Sequence, residues 1–352
     1  MASPFAFYFY SVYGPALNFI GDTPALAWLV RVFLPHYAMT SSELLNLHNV
    51  LGLALALLGF SAFCIGAGQV YYHKLARKGI VTGGIYNYIR HPQYVSLLVC
   101  SFGLMLLWPR YIVLVSFITV LFAYYFLART EEKECIEKYG QSYIDYRNRT
   151  GMFFPHLMST GWRLPGLPES GLARYLAILM LYLAVVGGSL GAASVVSNLT
   201  QDNLCALYSE DAVFLSIDRI DEDLLRQISN IALADPEVRS KLEVNGDGSN
   251  AKFVNYVLPS EWNVPEIPLN PIEGPRGHYT PEDYDKNLYK IAFTRAEFSE
   301  SNTNAEGGDV LSKAFRRVPI VEVWIDLSSG RVVEVKSPPA SVRYEGIPVP
   351  IY

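Results

Sequence analysis

The stretch VTGGIYNYIRHPQY, residues 81–94, is the segment from which the fold of the first half of the chain is predicted. It is polar and aromatic, and it lies between an apolar run at 46–71 and two further apolar runs at 94–108 and 111–128. A helix needs about 20 apolar residues to cross a bilayer, so the run at 46–71 predicts a membrane-spanning helix. The later runs are separated by Trp-Pro-Arg at 108–110, which is typical of a turn between antiparallel helices. We therefore expect residues 81–94 to form a surface loop between membrane helices.

Composition separates the chain into two parts. Of its 352 residues, 51% are hydrophobic and 17% are charged, whereas soluble domains carry about 25% charged residues. Residues 1–197 contain 13 Lys and Arg against 8 Asp and Glu, and residues 198–352 contain 15 against 25. A basic, apolar part followed by an acidic, polar part predicts a membrane domain followed by a water-soluble one. The acidic part also argues against nucleic acid as a partner.

The segments along the chain predict three regions. Residues 1–171 are expected to form a multi-pass α-helical membrane domain, whose short apolar segments 4–20 and 24–38 are membrane-embedded or interfacial. Residues 172–197 predict one additional transmembrane helix. Residues 198–352 predict a small external α+β domain. Its signals are a helical pattern at 221–243, a helix start at Asp235-Pro236, and strand-like runs at 288–296, 319–326 and 331–336.

The distribution of basic residues predicts the side of the membrane that each loop faces. The segments 72–93 and 129–171 are rich in Lys and Arg, whereas the turn between the paired helices contains only Arg110. Positively charged loops stay in the cytoplasm, so both segments are expected to be cytoplasmic. The helix at 172–197 then carries the C-terminal domain outside, which predicts a multi-pass protein of the cell membrane with an extracytoplasmic C-terminal domain. The basic residues of the two segments are Lys74, Arg77, Lys78, Arg90, Arg129, Lys133, Lys138, Arg147, Arg149 and Arg163.

Two polar groups beside the membrane helices contain residues that could carry chemistry. Arg90, His91 and Tyr94 could hold a carboxylate and stack on a purine, but such residues also form the aromatic and basic belt of a membrane surface. The acidic run EEKE at 131–134 follows an apolar helix whose C-terminal end is already negative. A carboxylate there could hold an ammonium group or ribose hydroxyls, or the run could simply continue the helix into solvent. The residues alone leave these alternatives open.

The cysteine and histidine positions predict no metal site. The four cysteines have no CxxC spacing, and the six histidines form no HExxH or paired pattern. No GxGxxG follows a strand-like run and no P-loop is present, so soluble nucleotide-binding folds are not indicated. Any cofactor chemistry is therefore expected in the cytoplasmic loops of the membrane domain.

Taken in order, these groups resemble the integral-membrane methyltransferases of the isoprenylcysteine carboxyl methyltransferase and phospholipid methyltransferase superfamily. The resemblance covers roughly residues 46–156. Its elements are Gly-x-Gly at 66–68, Arg-His-Pro-x-Tyr at 90–94, a helical hairpin, Glu-Glu at 131–132, and KYGQSYIDYRNRTG at 138–151.

The resemblance implies a membrane fold of the isoprenylcysteine methyltransferase type and S-adenosylmethionine as cofactor on the cytoplasmic side. It also implies an acceptor from the lipid phase, either a prenylcysteine-like carboxylate or a phospholipid or small-molecule amine. Arg129 would orient the acceptor during catalysis. Carried over by position, the cofactor-binding residues would be Lys78, Gly79, Ile80, Val81, Tyr86, His91, Pro92, Gln93, Tyr94 and Glu131.

Two departures keep other functions open. Ser96 stands where the superfamily commonly has Gly, and the chain continues with an extra helix and about 155 further residues. The cytoplasmic pattern also resembles membrane sterol and steroid reductases, which use NADPH. A second alternative is a non-catalytic subunit of a membrane complex that uses the acidic external domain as a docking surface for a protein partner.

Overall fold

A computed structural model describes residues 8–155, 171–245, 251–299, 304–341 and 343–352. The chain forms two compact units. The helical unit contains residues 47–108 and the described part of 112–192, and the sheet unit contains the described parts of 1–46, 109–111 and 193–352. Residues 156–170 of the predicted cytoplasmic segment 129–171, including Arg163, lie outside the described residues, as do residues 4–7 of the predicted segment 4–20.

Along the chain the described elements begin in the sheet unit, continue mainly through the helical unit over residues 43–202, and end in the sheet unit. Shorter turns of π or 3-10 helix occur at Phe9–Tyr13, Ala27–Val30 and Gly84–Asn87. In chain order the α-helices are α1 Gly14–Asp22, α2 Glu43–Leu75, α3 Pro92–Leu107, α4 Tyr111–Tyr139, α5 Gln141–Arg149, α6 Gly171–Asp202, α7 Glu222–Ala234, α8 Pro236–Asn245 and α9 Gly308–Lys313. The strands are β1 Ala206–Tyr208, β2 Ala212–Ser216, β3 Phe253–Pro259, β4 Leu288–Glu297, β5 Arg316–Asp326 and β6 Arg331–Lys336.

Three helices, α2, α4 and α6, are long and apolar enough to cross a membrane, and α3 is a shorter apolar helix. The predicted membrane helices are therefore confirmed as apolar helices. Small residues let α2 and α3 approach closely. A Cβ added at Gly59 would lie 2.3 Å from the backbone nitrogen of Cys100, and one at Gly103 would lie 2.4 Å from that of Ala56. At these points the backbones themselves are in contact.

The sheet unit contains a six-stranded sheet in the order β1-β2-β3-β4-β5-β6. Neighbouring strands are antiparallel except β2 and β3, which are parallel. A parallel pair requires a crossover, and α7 and α8 form it. Leu225 and Ile228 of α7 pack with Val257 and Ile291 of the sheet. The predicted helix start is confirmed, because the Asp235 carboxylate accepts hydrogen bonds from the first backbone N–H groups of α8 at 2.9 and 3.2 Å.

The N-terminal segment is part of the core of the sheet unit. Val32 and Tyr37 are buried in one cluster with Val213, Tyr256 and Trp262. The Tyr37 hydroxyl donates to the carbonyl of Ile351 at 2.6 Å. This packing differs from the predicted domain of residues 1–171, which grouped the segment with the membrane helices. The apolar residues at 30–38 are covered by protein, whereas Val12 and Phe19 of the predicted segment 4–20 are exposed. Apolar composition indicates burial without indicating what covers the residue.

The turn between α3 and α4 also belongs to the sheet unit. Phe33 N donates to the carbonyl of Pro109 at 3.0 Å, and Tyr111 N donates to that of Arg31 at 3.2 Å. Arg110 is 2% exposed. Its guanidinium donates to the carbonyl of Val30 and, at 2.6 Å, to that of Pro348. Arg110, which the sequence predicted in an external turn, is thus buried and connects Val30 and Pro348 through hydrogen bonds.

Candidate active site

The helical unit contains a pocket of about 640 Å³ at one end of its helices. Its walls come from the end of α2, the segment before α3, the first turn of α3, the last turns of α4, and α5. It therefore gathers loops that are distant in sequence. Eight of the residues predicted to bind a cofactor line it, namely Gly79, Ile80, Val81, Tyr86, His91, Gln93, Tyr94 and Glu131.

Three predicted site residues lie outside the wall of this pocket. The Lys78 ammonium donates to the Tyr72 hydroxyl at 2.9 Å and lies over that ring. Pro92 is buried in the first turn of α3, where its missing N–H is not needed for helical hydrogen bonds. Arg129 is exposed on α4. Since residues two apart on a helix point about 200° apart, Arg129 and the pocket-lining Glu131 face different directions.

A strained turn brings Gly79 to Val81 to the pocket. At the end of α2, Lys78 N donates to the carbonyl of His73 and Arg77 N to that of Lys74, which is the Schellman pattern of helix termination. Arg77 occupies its left-handed position with φ 51°, and it is the one non-glycine residue with positive φ among the described residues. Glycine usually takes this position because a Cβ is unfavourable there. Arg77 also lines the pocket.

The segment before α3 is fixed by the chain after α5. Arg90 N donates to the carbonyl of Gly151 at 2.9 Å, and His91 N donates to that of Met152 at 3.2 Å. The Tyr146 hydroxyl donates to the carbonyl of Tyr86 at 2.7 Å. Burial raises the pKa of Tyr86 to about 12, so its phenol remains neutral. The two predicted cytoplasmic segments therefore meet through backbone hydrogen bonds.

Four charged side chains form a cluster where these segments meet α4. The Arg90 Nε donates to Glu132 Oε1 at 2.6 Å, and His91 Nε2 lies 3.3 Å from the same oxygen. His91 Nδ1 lies 3.5 Å from Glu131 Oε2. The Tyr94 hydroxyl donates to Glu131 Oε1 at 2.5 Å. Each carboxylate thus has partners on α3 or on the segment before it.

The continuation of α4 to Tyr139 explains the acidic run at 131–134. These residues lie inside the helix and not at its negative end, and Glu132 is only 6% exposed because it pairs with Arg90. The predicted helix continuation and the predicted charged site are therefore both present. The residues alone allowed either one without the other.

His91 is placed to carry a positive charge. Burial alone lowers the pKa of its imidazole, but hydrogen bonds to Glu131 and Glu132 outweigh burial, and the pKa of His91 is raised above its ordinary value of 6.5. Its ring also stacks on Tyr94, with centroids 5.5 Å apart and nearly parallel planes. The imidazolium is the form that this environment favours.

Sequence reasoning missed part of the pocket wall. Glu134, Cys135 and Lys138 follow Glu131 on α4 at spacings of three, four and seven residues, which places them on one face of the helix. That spacing is the available signal, because the predicted continuation of the helix would already place these side chains beside Glu131. The wall residues outside the predicted cofactor-binding set are Val70, His73, Lys74, Arg77, Arg90, Glu134, Cys135, Lys138, Tyr139, Tyr143 and Tyr146.

The wall combines both signs of charge with aromatic rings. His73, Lys74 and Lys138 can hold a carboxylate, and Glu131 and Glu134 can hold a cationic group. The tyrosine rings offer flat apolar surfaces on which a heteroaromatic ring can stack. The arrangement fits a small molecule that carries an ammonium, a carboxylate and an aromatic base.

Comparison with known proteins identifies the region that holds this pocket. Residues 46–142 match the family model described as phospholipid methyltransferase. Two curated relatives have the name protein-S-isoprenylcysteine O-methyltransferase. One, from Saccharomyces cerevisiae, is 34% identical over 143 residues, and the other, from Schizosaccharomyces pombe, is 32% identical over 101 residues. This region is similar to the isoprenylcysteine and phospholipid methyltransferases.

The superfamily match covers part of each chain. The alignments span 38% and 27% of this chain, and 60% and 43% of the Saccharomyces and Schizosaccharomyces proteins respectively. No solved structure matches the chain significantly. The resemblance predicted from the motifs is confirmed for the superfamily region, and with its apolar helices the chain is a membrane protein.

Proposed function

We propose that the chain transfers a methyl group from S-adenosylmethionine to an acceptor that arrives from the lipid phase. The observation that carries this proposal is the convergence of Tyr86, His91, Tyr94 and Glu131 on one pocket within the region that matches the superfamily. The names of the two relatives favour a prenylcysteine-like carboxylate as acceptor over a phospholipid or small-molecule amine.

The residues present fit S-adenosylmethionine. The pocket volume of about 640 Å³ lies within the range of roughly 300–1,000 Å³ that is typical of small-molecule sites. Glu131 and Glu134 would hold the amino group, and Lys74 and Lys138 the carboxylate, of the methionine part. The rings of Tyr86 and neighbouring tyrosines would cover the adenine.

When bound, S-adenosylmethionine supplies a methyl group that its sulfonium charge has already activated. The contribution of the protein is to orient the two reactants and to exclude water. The cluster of Arg90, His91 and Glu132 would hold Glu131 and Tyr94 in fixed positions at the pocket wall. A carboxylate acceptor needs no general base, whereas an amine acceptor must be neutral to react.

Arg129 is proposed to orient the acceptor through its guanidinium. Its exposure on the face of α4 that points away from Glu131 makes this role separable from cofactor binding. Arg129→Ala is expected to raise the KM for the acceptor and to leave the affinity for S-adenosylmethionine unchanged. A loss of cofactor affinity in this variant would contradict the assignment.

Calorimetric titration of the purified full chain with S-adenosylmethionine, S-adenosylhomocysteine and NADPH tests the proposal. Glu131→Gln and His91→Ala are each expected to weaken S-adenosylmethionine binding by about 1–3 kcal/mol, the range for losing a buried or charge-assisted hydrogen bond. Glu137→Gln is the matched control, because Glu137 is an exposed glutamate of α4 outside the pocket wall.

The other outcomes decide between the alternative functions. Binding of NADPH without S-adenosylmethionine would contradict the proposal and support a membrane reductase. Binding of none of the three by the folded chain in lipid would support a non-catalytic subunit, with the acidic C-terminal domain as the surface for a protein partner. A methyl-transfer assay on a lipid extract with labelled donor then identifies the acceptor.

A further inference from the structure

Three side chains of the sheet unit converge although they are far apart in sequence. His36 lies in the N-terminal segment, and Glu266 and His278 lie in the connection between β3 and β4. His278 Nε2 lies 2.9 Å from Glu266 Oε2, and His36 Nε2 lies 3.9 Å from Glu266 Oε1. One nitrogen of each imidazole and one carboxylate oxygen all lie within 4.8 Å of one another.

The backbone beside each of these residues is held independently of the cluster. His36 N donates to the carbonyl of Tyr352 at 2.7 Å. The carbonyl of Glu266 accepts from the Arg317 guanidinium at 3.1 Å. Beside His278, the carbonyl of Gly277 accepts from the Trp262 indole at 3.1 Å. The surrounding structure therefore places the three side chains, as a ligand set requires.

The cluster is buried on one side and open on the other. The side chains of His36 and Glu266 are each 6% exposed, and that of His278 is 32% exposed. Glu266 also lines a cavity of about 390 Å³ in the same unit. The partly exposed His278 gives solvent access to one side of the cluster, and an exogenous ligand such as water can complete the coordination of an ion there.

We propose that His36, Glu266 and His278 bind one divalent transition-metal ion and that this ion is Zn²⁺. Two imidazole nitrogens and one carboxylate oxygen with an open position are a ligand set that zinc accepts in tetrahedral geometry. Ca²⁺ and Mg²⁺ prefer sites made of oxygen ligands. The site is independent of the methyl transfer proposed for the helical unit.

The charges around the cluster select the kind of ion. The Glu266 carboxylate lies against both imidazoles and can supply negative charge to a divalent ion. The partly buried Arg317 guanidinium adds a positive charge at the backbone carbonyl of Glu266. Two imidazole nitrogens favour ions that form strong bonds to imidazole, such as Zn²⁺, over ions that prefer oxygen ligands.

The distances require one small adjustment. Ligand atoms at about 2.0–2.2 Å from a tetrahedral ion lie roughly 3.3–3.6 Å from one another, so the 3.9 Å between His36 Nε2 and Glu266 Oε1 must contract. His278 is partly exposed and can also rotate. The ion would then fasten the N-terminal segment to the connection between β3 and β4, two parts of the chain separated by more than 200 residues.

The test measures metal binding by the full chain purified in detergent. After removal of metal and dialysis against Zn²⁺, the wild type is expected to retain one zinc per chain, and Co²⁺ is expected to give the visible absorption of a tetrahedral complex. His278→Asn and Glu266→Gln are expected to weaken Co²⁺ affinity by at least the roughly 10–100-fold that loss of an outer partner costs a metal site. Glu273→Gln is the control, because Glu273 is an exposed glutamate of the same connection.

Each other result overturns the proposal. If the folded wild-type chain takes up neither Zn²⁺ nor Co²⁺, the cluster is a set of hydrogen-bonded side chains and not a metal site. Equal Co²⁺ affinity of the wild type and His278→Asn would place the ion elsewhere. Because His278 is partly exposed, its variant is expected to fold, and circular dichroism together with the thermal midpoint without metal checks this.

Discussion

His91 lies between two carboxylates, so the charge of one imidazole is linked to the stability of the loops around the pocket. Its pKa in the folded chain is raised above 6.5 by Glu131 and Glu132 in spite of burial. A group with a raised folded pKa contributes stability fully below its unfolded pKa, and this contribution is lost as the pH rises through the folded pKa. We therefore expect the thermal midpoint of the wild type to fall as the pH rises above about 6.5.

His91→Gln isolates this contribution, because glutamine can donate a hydrogen bond but cannot titrate. At acidic pH the variant is expected to have a lower thermal midpoint than the wild type. Above about pH 6.5 its midpoint is expected to change less with pH than that of the wild type. Differential scanning fluorimetry across the pH range measures both. An identical pH dependence in the two proteins would show that other groups control it.

Arg77 is expected to balance backbone strain against ligand binding. The left-handed conformation costs a residue with a Cβ about 1–2 kcal/mol of folding stability. Replacing that residue by glycine removes this strain, but the greater freedom of glycine in the unfolded chain costs about 0.5–1 kcal/mol. Arg77→Gly should therefore stabilise the chain by up to about 1.5 kcal/mol while weakening S-adenosylmethionine binding. The same change at Lys133, an exposed residue inside α4, should destabilise it by about 1 kcal/mol. Thermal midpoints and calorimetry give the two quantities, and lower stability of Arg77→Gly would contradict the strain argument.

The close contact between α2 and α3 near Cys100 depends on the absence of a side chain at Gly59. A Cβ at Gly59 would lie 2.3 Å from the backbone nitrogen of Cys100, so Gly59→Ala must push the helices apart. We expect a loss of about 1–3 kcal/mol, the usual cost of overpacking. Gly187→Ala in α6 is the matched control, because no described atom lies within 4 Å of its added Cβ. Denaturant or thermal unfolding in detergent compares them, and equal midpoints would show that the helices can separate at little cost.

The elements that sequence could predict are those with a strong local pattern. The apolar runs predicted α2, α3, α4 and α6, and Asp235-Pro236 predicted the start of α8. The polar second half of α4 was one of two alternatives for the acidic run at 131–134, because its charged residues have no apolar pattern that would extend the helix to Tyr139. Strands β1 to β3 are short, with three to seven residues, and their pairing is set by distant partners.

The candidate site shows the same limit. The local motif at 81–94 identified His91 and Tyr94, and position in the superfamily identified Glu131. Local sequence could not show that Arg90 pairs with Glu132, because that contact depends on how α4 packs beside α3. Nor could spacing along the chain show the cluster of His36, Glu266 and His278, which exists only after the N-terminal segment packs onto the sheet.

Contacts within the sheet unit constrain how the whole molecule crosses the membrane. Residues 31–33 bond to residues 109–111, so these segments must lie on one side. If α2 crosses the membrane, we expect α3 to return to that side, although its 16 residues span only about 24 Å against a core of about 30 Å. Since Arg110 bonds to Pro348, we expect the C-terminal domain on the same side, with one crossing each by α4 and α6.

We therefore expect four crossings, with the segments 72–93 and 129–171 in the cytoplasm and residues 198–352 outside the cell membrane. Cysteines introduced singly at Asn148 and at Ser328, both exposed, should react with an impermeant maleimide from opposite sides of sealed vesicles. The increase over the parent chain is measured, because native Cys64 is exposed as well. Labelling of both positions from the same side would contradict the crossing of α3 or of α6.

The packing of the N-terminal segment into the sheet unit also determines when that segment can fold during biosynthesis. Tyr37 leaves the ribosome early, but Val213 of the same core cluster is made about 180 residues later, and Tyr256 later still. At about 5–20 residues per second this is a delay of roughly 10–35 s, during which α2, α3, α4 and α6 are made. In that interval the segment can gain its contacts with residues 109–111 but not those with the strands of the sheet. We therefore expect its remaining apolar surface to be covered by lipid or by a chaperone until the sheet has been translated.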